Sequence, residues 1–497
     1  MSAELLLGID VGTTNCKALV LDAAGRALAV AAAPTPALRP RPGWVEHDPA
    51  ALWGTVAGVV RAALAQAGAG RVRGVAVASM AEAGLLVDSA GQPLHSVISW
   101  DDSRSDEQYP AWLDAYGAER FRALVGNRPN PIFSLFKLLW LRERLPAAYQ
   151  SAARWLHVAD YIVFRLCGAQ ATDYSLATRT MLFDLAGLRW SGELAAAAGL
   201  RADLLPALRP AGARLGLVSA AAAADTGLPL GAAVACAGHD HSCGALAAGV
   251  FEPGVALDSM GTAEPAFLPL AALPANLADL PACSLGAHVV GGRYYAAKGV
   301  RSSGGAVAWA AQALGFGGEH ARLQAAAAQA RPGSGGVLFL PRLAPIDRGG
   351  FAGLSSSAGP AELARAVYEG LAYAWRANLE LIEQAAGARA AEIRVIGGGS
   401  QAALWLQIKA DVLGRELHVL ELRESVALGA ALLAGVAAGL YCDERAAAAR
   451  LDLRRRVVQP DAARAAFYGQ CYREAYLPLE QALGGLGAAF GRLPPAP

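Results

Sequence analysis

The chain has 497 residues, more than one hydrophobic core ordinarily supports, and 54% of them are apolar, so two domains are expected. Forty-three Lys and Arg against 42 Asp and Glu leave a formal charge of +1, and the only basic run is Arg454-Arg455-Arg456, which argues against a nucleic-acid partner. Seven cysteines, scattered and without a CxxC pair, suggest no zinc ribbon and fit a reducing cytoplasm.

The first stretch, "LLLGIDVGTTNCKALVLDAAGRALA" (residues 5–29), runs apolar residues into Asp10, passes Gly12, Thr13 and Thr14, and resumes as an apolar run after Lys17. A turn and a third run follow, so the loop joins two strands. It is neither a glycine-spaced Lys-Ser/Thr loop nor a three-glycine dinucleotide fingerprint. Such a hairpin tip aims backbone N–H groups, two hydroxyls and an ammonium at phosphate oxygens. Asp10 at the strand end would hold a divalent cation through water, because Mg²⁺ keeps much of its hydration shell. An ordinary Gly-Thr turn with a surface Lys reads equally well from these residues alone.

Next, "DPAALWGTVAGVVRAALAQAG" predicts a helix from its Asp48-Pro49 start to Gly68, and "VRGVAVASM" a buried strand. "VASMAEAGLLVD" puts Glu82 at a strand end, and "SWDDSR" supplies Trp100, Asp102 and Arg104. Carboxylates, an Arg and an aromatic suit a polyhydroxylated ligand; a surface loop with Asp–Arg pairing is the alternative. Helices are expected from about residue 105 to 165.

In "CAGHDHSCGALAAG" (236–249), His239 and His241 bracket Asp240 between an apolar strand and a small-residue helix. A charge at the end of a buried strand needs a partner or a task. For phosphoryl transfer to an alcohol, such a carboxylate accepts the hydroxyl proton. A zinc site on these three is disfavoured while they lie on a strand, whose side chains alternate faces, and less so if the chain is already turning into the helix. With no G-x-S-x-G elbow, a serine hydrolase is not indicated.

The second half repeats the theme. "GVALDSMGTAEPAFL" has a strand, Gly261-Thr262 and a returning strand, echoing the first hairpin. "IRVIGGGSQAALWLQIKADVLGREL" reads as strand, three glycines and a helix with Ser400 as N-cap, a junction where a ligand can approach backbone. "VALGAALLAGVAAGLY" (426–441) is shorter than the roughly 18 residues of a membrane span and is read as a buried, closely packed helix. The N-terminus lacks the pattern of a signal peptide, and the last residues, "GAAFGRLPPAP", read as a frayed tail.

Taken in order, these segments resemble the FGGY carbohydrate kinases, the group of glycerol kinase and xylulokinase, over nearly the whole chain. "GIDVGTTNCKALVLD" resembles the family's first phosphate motif, "SWDDSR" its W-x-D-x-R substrate element, and "NPIFSLFKLLWLRERLP" its helix with Lys137 and Trp140. "VADYIVFRLCGAQATDYSLATRTMLFDL" is similar to a further family segment, "AGHDHSCGALAAG" places Asp240 at the catalytic base, and "SMGTAE" resembles the second phosphate loop. "GGGSQAALWLQIKADVLG" with "ESVALGAALLAG" resembles the adenosine region.

The resemblance implies an α/β protein of two actin-like ATPase domains of ribonuclease H-like topology flanking a central cleft, residues 1–246 on the sugar side and 247–497 on the ATP side. It implies ATP and Mg²⁺, a small-molecule sugar, a homodimer, a cytoplasmic location, and neither nucleic-acid nor membrane partners. By position, Asp10 and Asp240 would hold the metal. Gly12, Thr13, Thr14, Lys17, Gly261, Thr262, Gly398, Gly399 and Gln401 would hold the nucleotide. Glu82, Asp102, Arg104, Asp240 and Glu264 would meet the sugar, with Asp240 as base. The expected reaction is phosphorylation of a ketose such as xylulose. A sugar alcohol of glycerol or tetritol type is the alternative acceptor, and an actin- or chaperone-like ATPase the alternative class. The departures fall on the substrate side: Met80-Ala81-Glu82 replaces the Gln-Met-His of xylulokinase-like members, Ala81 stands where glycerol kinases carry Arg, Glu264 replaces a small or apolar residue, and His239 and His241 flank the base.

Overall fold

The computed structural model describes residues 3–277, 280–343 and 348–484. Its two main sheets share one strand order. In the first, Glu4–Val11, Asn15–Asp22 and Ala27–Pro34 form an antiparallel meander, and Arg71–Ser79 and Ala233–His239 extend it in parallel beyond Glu4–Val11. In the second, Val255–Ser259, Glu264–Leu270 and Tyr294–Val300 form the meander, and Glu392–Ile396 and Leu417–Leu420 extend it in parallel. Each sheet adds a short strand at its far edge, and the second also pairs Ser284–Ala287 outside its meander. This is the repeated ribonuclease H-like topology expected, built from the two hairpins whose sequences echo each other.

The predicted helix spans Pro49–Ala67, with Asp48 capping the Ala51 N–H and Pro49 at its first turn, where a missing N–H costs nothing. It has the length and apolarity of a membrane span, yet its apolar face lies on Asn15–Asp22 and Ala27–Pro34. The 426–441 stretch forms the buried helix Ser425–Ala437. That helix comes from the second half of the chain but covers the first sheet, packing on Glu4–Val11 and Arg71–Ser79 beside the helix Asp240–Ala247. Backbone meets backbone there: a Cβ on Gly8 would sit 1.8 Å from the Ala427 carbonyl oxygen, so only glycine fits. The first core is thus completed by chain from the second half, and the Asp240 helix lies at the junction.

A four-stranded sheet of Glu46–His47, Val97–Ile98, Gly84–Val87 and Arg154–His157, with helices between 108 and 151, forms an insert on the first half around Trp112, Phe121, Phe136 and Trp155. The tail "GAAFGRLPPAP" lies outside the described residues.

Candidate active site

The first hairpin puts Asp10 directly opposite Lys17 in register. Its tip closes by the Gly12 N–H on the Asn15 carbonyl, 3.1 Å, leaving the Thr13 and Thr14 side chains exposed. Trp100 Nε1 donates to Thr13 Oγ1 at 2.8 Å, tying the "SWDDSR" segment to this tip. Lys17 Nζ meets Glu424 at 2.5 Å, a contact from the residue that opens the helix Ser425–Ala437. Burial and the neighbouring charge of Asp240 push the Asp10 carboxyl up to about 8, against the pull of Lys17. Two neighbouring carboxylates, one so destabilised as an anion, are the hard oxygen donors that Mg²⁺ takes, so the residues fit the cation.

Asp240 is the first residue of its helix. The strand before it is bent at Gly238, whose φ of 101° and contact with Ser175 and Asp173 exclude a side chain. Ser175 Oγ then accepts the His239 N–H at 2.8 Å and fixes the turn. Asp240 Oδ1 accepts the His241 N–H at 2.6 Å and lies 3.1 Å from His239 Nε2. Burial favours the neutral carboxyl, but the charges and hydrogen bonds of His241 and His239 outweigh it and hold Asp240 well below the usual carboxylate range. The chain turns helical at Asp240, the case in which the strand argument against a shared metal weakens, and the ligating atoms of His239, Asp240 and His241 lie within 4.8 Å of one another.

Glu82 sits between strands with φ of 59° and pairs with Arg179, whose Nε donates at 2.6 Å and whose guanidinium covers Phe133. Arg179 also lies within electrostatic reach of Asp240. Its segment was noted in sequence but not this side chain, because only the fold brings it to Glu82. Lys137 is fully buried beneath; burial lowers it to about 8 although Glu82 and Asp102 oppose the shift.

Three residues expected to meet the sugar are engaged by protein partners. Asp102 accepts Arg104 Nε and N–H on one oxygen and Arg104 Nη2 and the Val45 N–H on the other, and its side chain is fully buried. Arg104 also pairs with Glu46 and lies against Trp44 and Trp140. The pair forms an interior brace against Trp44 and Trp140. Glu264 is likewise fully buried: Lys409 pairs with one oxygen and Ser303 Oγ donates to the other at 2.6 Å. Lys409, absent from the expectations, bridges Glu264 to Asp258.

Gly261 and Thr262 are exposed at the tip of the second hairpin. The Ser303 and Gly304 N–H groups bond the Thr262 and Gly261 carbonyls, and the Gly399 N–H bonds the Met260 carbonyl at 3.0 Å. The second hairpin and the glycine turn are therefore one unit, with Gly398 and Gln401 exposed on it. Ser400 is not the N-cap expected: Gly398–Gln401 form a 3₁₀ turn, Ser400 Oγ donates back to the Gly397 carbonyl at 2.7 Å, and the helix proper is Ala403–Leu413. A 30 Å³ cavity at the junction is lined by Asp240 and His241 on one side and Ser259, Phe267 and Ser425 on the other. The polar helix start thus meets a mainly apolar wall that includes Leu257, Pro265 and Ile396.

The FGGY N-terminal domain model matches residues 5–247 and the C-terminal domain model residues 259–438. A glycerol kinase of Citrifermentans bemidjiense is 35% identical over 91% of this chain and 94% of its own. A xylulose kinase of Klebsiella pneumoniae is 32% identical over 93% and 96%. The crystal structure of xylulose kinase from Rhodospirillum rubrum superposes with a TM-score of 0.87 at 30% identity, covering 97% of this chain and all of that one. With its two actin-like domains and both domain models matched in order, this chain belongs to the FGGY family of carbohydrate kinases, enzymes that transfer a phosphoryl group from ATP to an alcohol group of a small sugar.

Proposed function

We propose that the acceptor is a ketose such as xylulose, with Asp240 as general base. The observation that supports this reading is Asp240 itself: an ionised carboxylate at a helix start, within electrostatic reach of Asp10 and bordering a cavity with Ser259 of the second hairpin's first strand. Asp240 takes the proton of the attacking hydroxyl. Lys17, Thr13 and Thr14 hold β- and γ-phosphate oxygens from one side, and Gly261 and Thr262 approach the transferred phosphoryl from the other. Gly398, Gly399 and Gln401 flank the nucleotide. Mg²⁺, held by Asp10 and Asp240, would neutralise phosphate charge. Glu82, braced by Arg179, binds sugar hydroxyls beside Trp100. Closure of the halves excludes water that would otherwise hydrolyse ATP.

A sugar alcohol of glycerol or tetritol type is the second reading, favoured by the Glu82–Arg179 pair, which sets a carboxylate rather than an imidazole at the sugar wall. The proposal includes a cytoplasmic homodimer. Seven free cysteines support the reducing compartment, and light scattering measures the dimer.

The test is ADP release with Mg-ATP across ketoses, polyols and aldoses, beside a sugar-free control and Asp240→Asn. A sugar-dependent rate that falls roughly 10²–10⁴-fold in the variant, with nucleotide binding kept, is expected. Near-normal turnover in Asp240→Asn would remove the base assignment. Equal ADP release with and without every sugar would point to the ATPase class.

A further inference from the structure

We propose that His239, Asp240 and His241 form a binding site for a borderline transition metal of the Zn²⁺ class, and that its occupancy switches the kinase off by capturing the Asp240 carboxylate. The switching-off rests on the base assignment above; the binding does not.

The geometry begins with the turn at Asp240. His239 is still extended, with φ -67° and ψ 132°, while Asp240 opens the helix, and at this change of backbone the three ligating atoms lie within 4.8 Å of one another. Asp240 Oδ1 lies 3.1 Å from His239 Nε2 and 4.0 Å from His241 Nε2. Tetrahedral Zn²⁺, with bonds of about 2.0–2.1 Å, needs ligand atoms roughly 3.3 Å apart. His239 and Asp240 already stand near that spacing. His241 has to close the remaining gap, and with 49% of its side chain exposed it is the member free to swing.

The fourth position is left to a water from solvent, which reaches the site through the half-exposed His241 side chain. Two imidazoles and one carboxylate around an open position is a donor set zinc accepts. It is one Mg²⁺ avoids, since that ion demands oxygen ligands in an octahedron. The site therefore separates two ions that share Asp240: the oxygen pair with Asp10 suits the hard cation, and the imidazole pair selects the softer one. Binding through His239 Nε2 moves the ring proton to Nδ1, which is buried and has no hydrogen-bond partner. Without the acceptor that usually orients a metal-bound imidazole, the site suits a reversible inhibitor rather than a permanent structural ion. Mg²⁺ keeps its water shell and leaves the Asp240 carboxylate basic, whereas direct bonding of that carboxylate to zinc ties up the electron pair that takes the hydroxyl proton.

The experiment uses the untagged, metal-free full-length protein without nucleotide. ZnCl₂ is titrated by calorimetry and CoCl₂ by visible absorption, for wild type, His241→Asn and His239→Asn. One equivalent of zinc, a tetrahedral Co²⁺ spectrum, and binding weakened at least about tenfold in both variants are expected. His241→Asn, at an exposed position, keeps the result interpretable if His239→Asn fails to fold. Zinc binding equal in wild type and His241→Asn, or none at all, overturns the site. Kinase rates are then measured at buffered free Zn²⁺ and saturating Mg-ATP, each protein against its own zinc-free rate. Inhibition in wild type at concentrations at least about tenfold below those that inhibit His241→Asn supports the switch. Binding that depends on His241 but leaves the rate unchanged overturns the switch while the metal site stands; the base assignment falls only to near-normal turnover in Asp240→Asn.

Discussion

The two Gly-Thr hairpins look alike in sequence and topology but use their charges in opposite ways. In the first, Asp10 and Lys17 face each other near the tip, and the lysine meets Glu424 across the junction with both side chains about a quarter to a third exposed. In the second, Asp258 and Glu264 are sealed in the interior with Lys409. Burial drives the Asp258 carboxyl well above its ordinary range, with Lys409 opposing and Glu264 adding to the rise. The first hairpin keeps Lys17 partly exposed and exchangeable for a ligand, and the second seals its charges beneath the tip that carries Gly261 and Thr262. A repeated motif therefore does not imply a repeated role; solvent access decides which.

The largest effect is expected from Lys409→Met, which leaves two buried carboxylates without a cation. A loss of about 3–5 kcal/mol is expected, read as a lower denaturant midpoint of the second half. An unchanged midpoint would make the sealed cluster dispensable and erase the contrast.

Lys17→Met should do the reverse, costing less than about 1 kcal/mol in stability, since its pair is partly exposed. It should lower kcat/KM by about 10²–10³-fold through lost phosphate stabilisation. Comparable stability losses in both lysine variants would contradict the division of labour.

A third test sharpens the comparison with another buried cation. Lys409 is raised because two carboxylates outweigh burial, whereas Lys137, in the insert, is pushed down to about 8. Between about pH 8 and the ordinary lysine value near 10.5, the unfolded chain binds the proton that folded Lys137 has released, so this group makes stability rise with pH. Wild type should gain relative to Lys137→Met when the pH is raised from 8 to 10, by denaturant midpoint. Parallel profiles would show that the lysine titrates normally.

The smallest effect belongs to Glu424→Gln. Freeing Lys17 from a partly exposed partner is worth under about 1 kcal/mol, so nucleotide affinity should tighten by less than about fivefold. Calorimetry with a non-hydrolysable ATP analogue measures it, and weaker binding would mean that Glu424 positions Lys17 for phosphate rather than competing for it.

Local chemistry along the chain determined the two hairpins, the Asp48-capped helix, the glycine turn and the Asp240 strand-to-helix junction, because apolar periodicity and turn residues act over a few positions. The family and the exposed tips Gly12–Thr14 and Gly261-Thr262 were legible for the same reason. Tertiary structure alone decided where the charges went. Glu264 and Asp102 read as ligands until Lys409, 145 positions on in sequence, and Arg104 with the Val45 N–H closed around them. Ser400 read as a cap until its hydroxyl turned to the Gly397 carbonyl. Arg179 reached Glu82 from 97 positions away, and the helix Ser425–Ala437 crossed from one half to complete the core of the other. A carboxylate's task depends on which donors and how much water surround it, and those come from segments that meet only when the chain has folded.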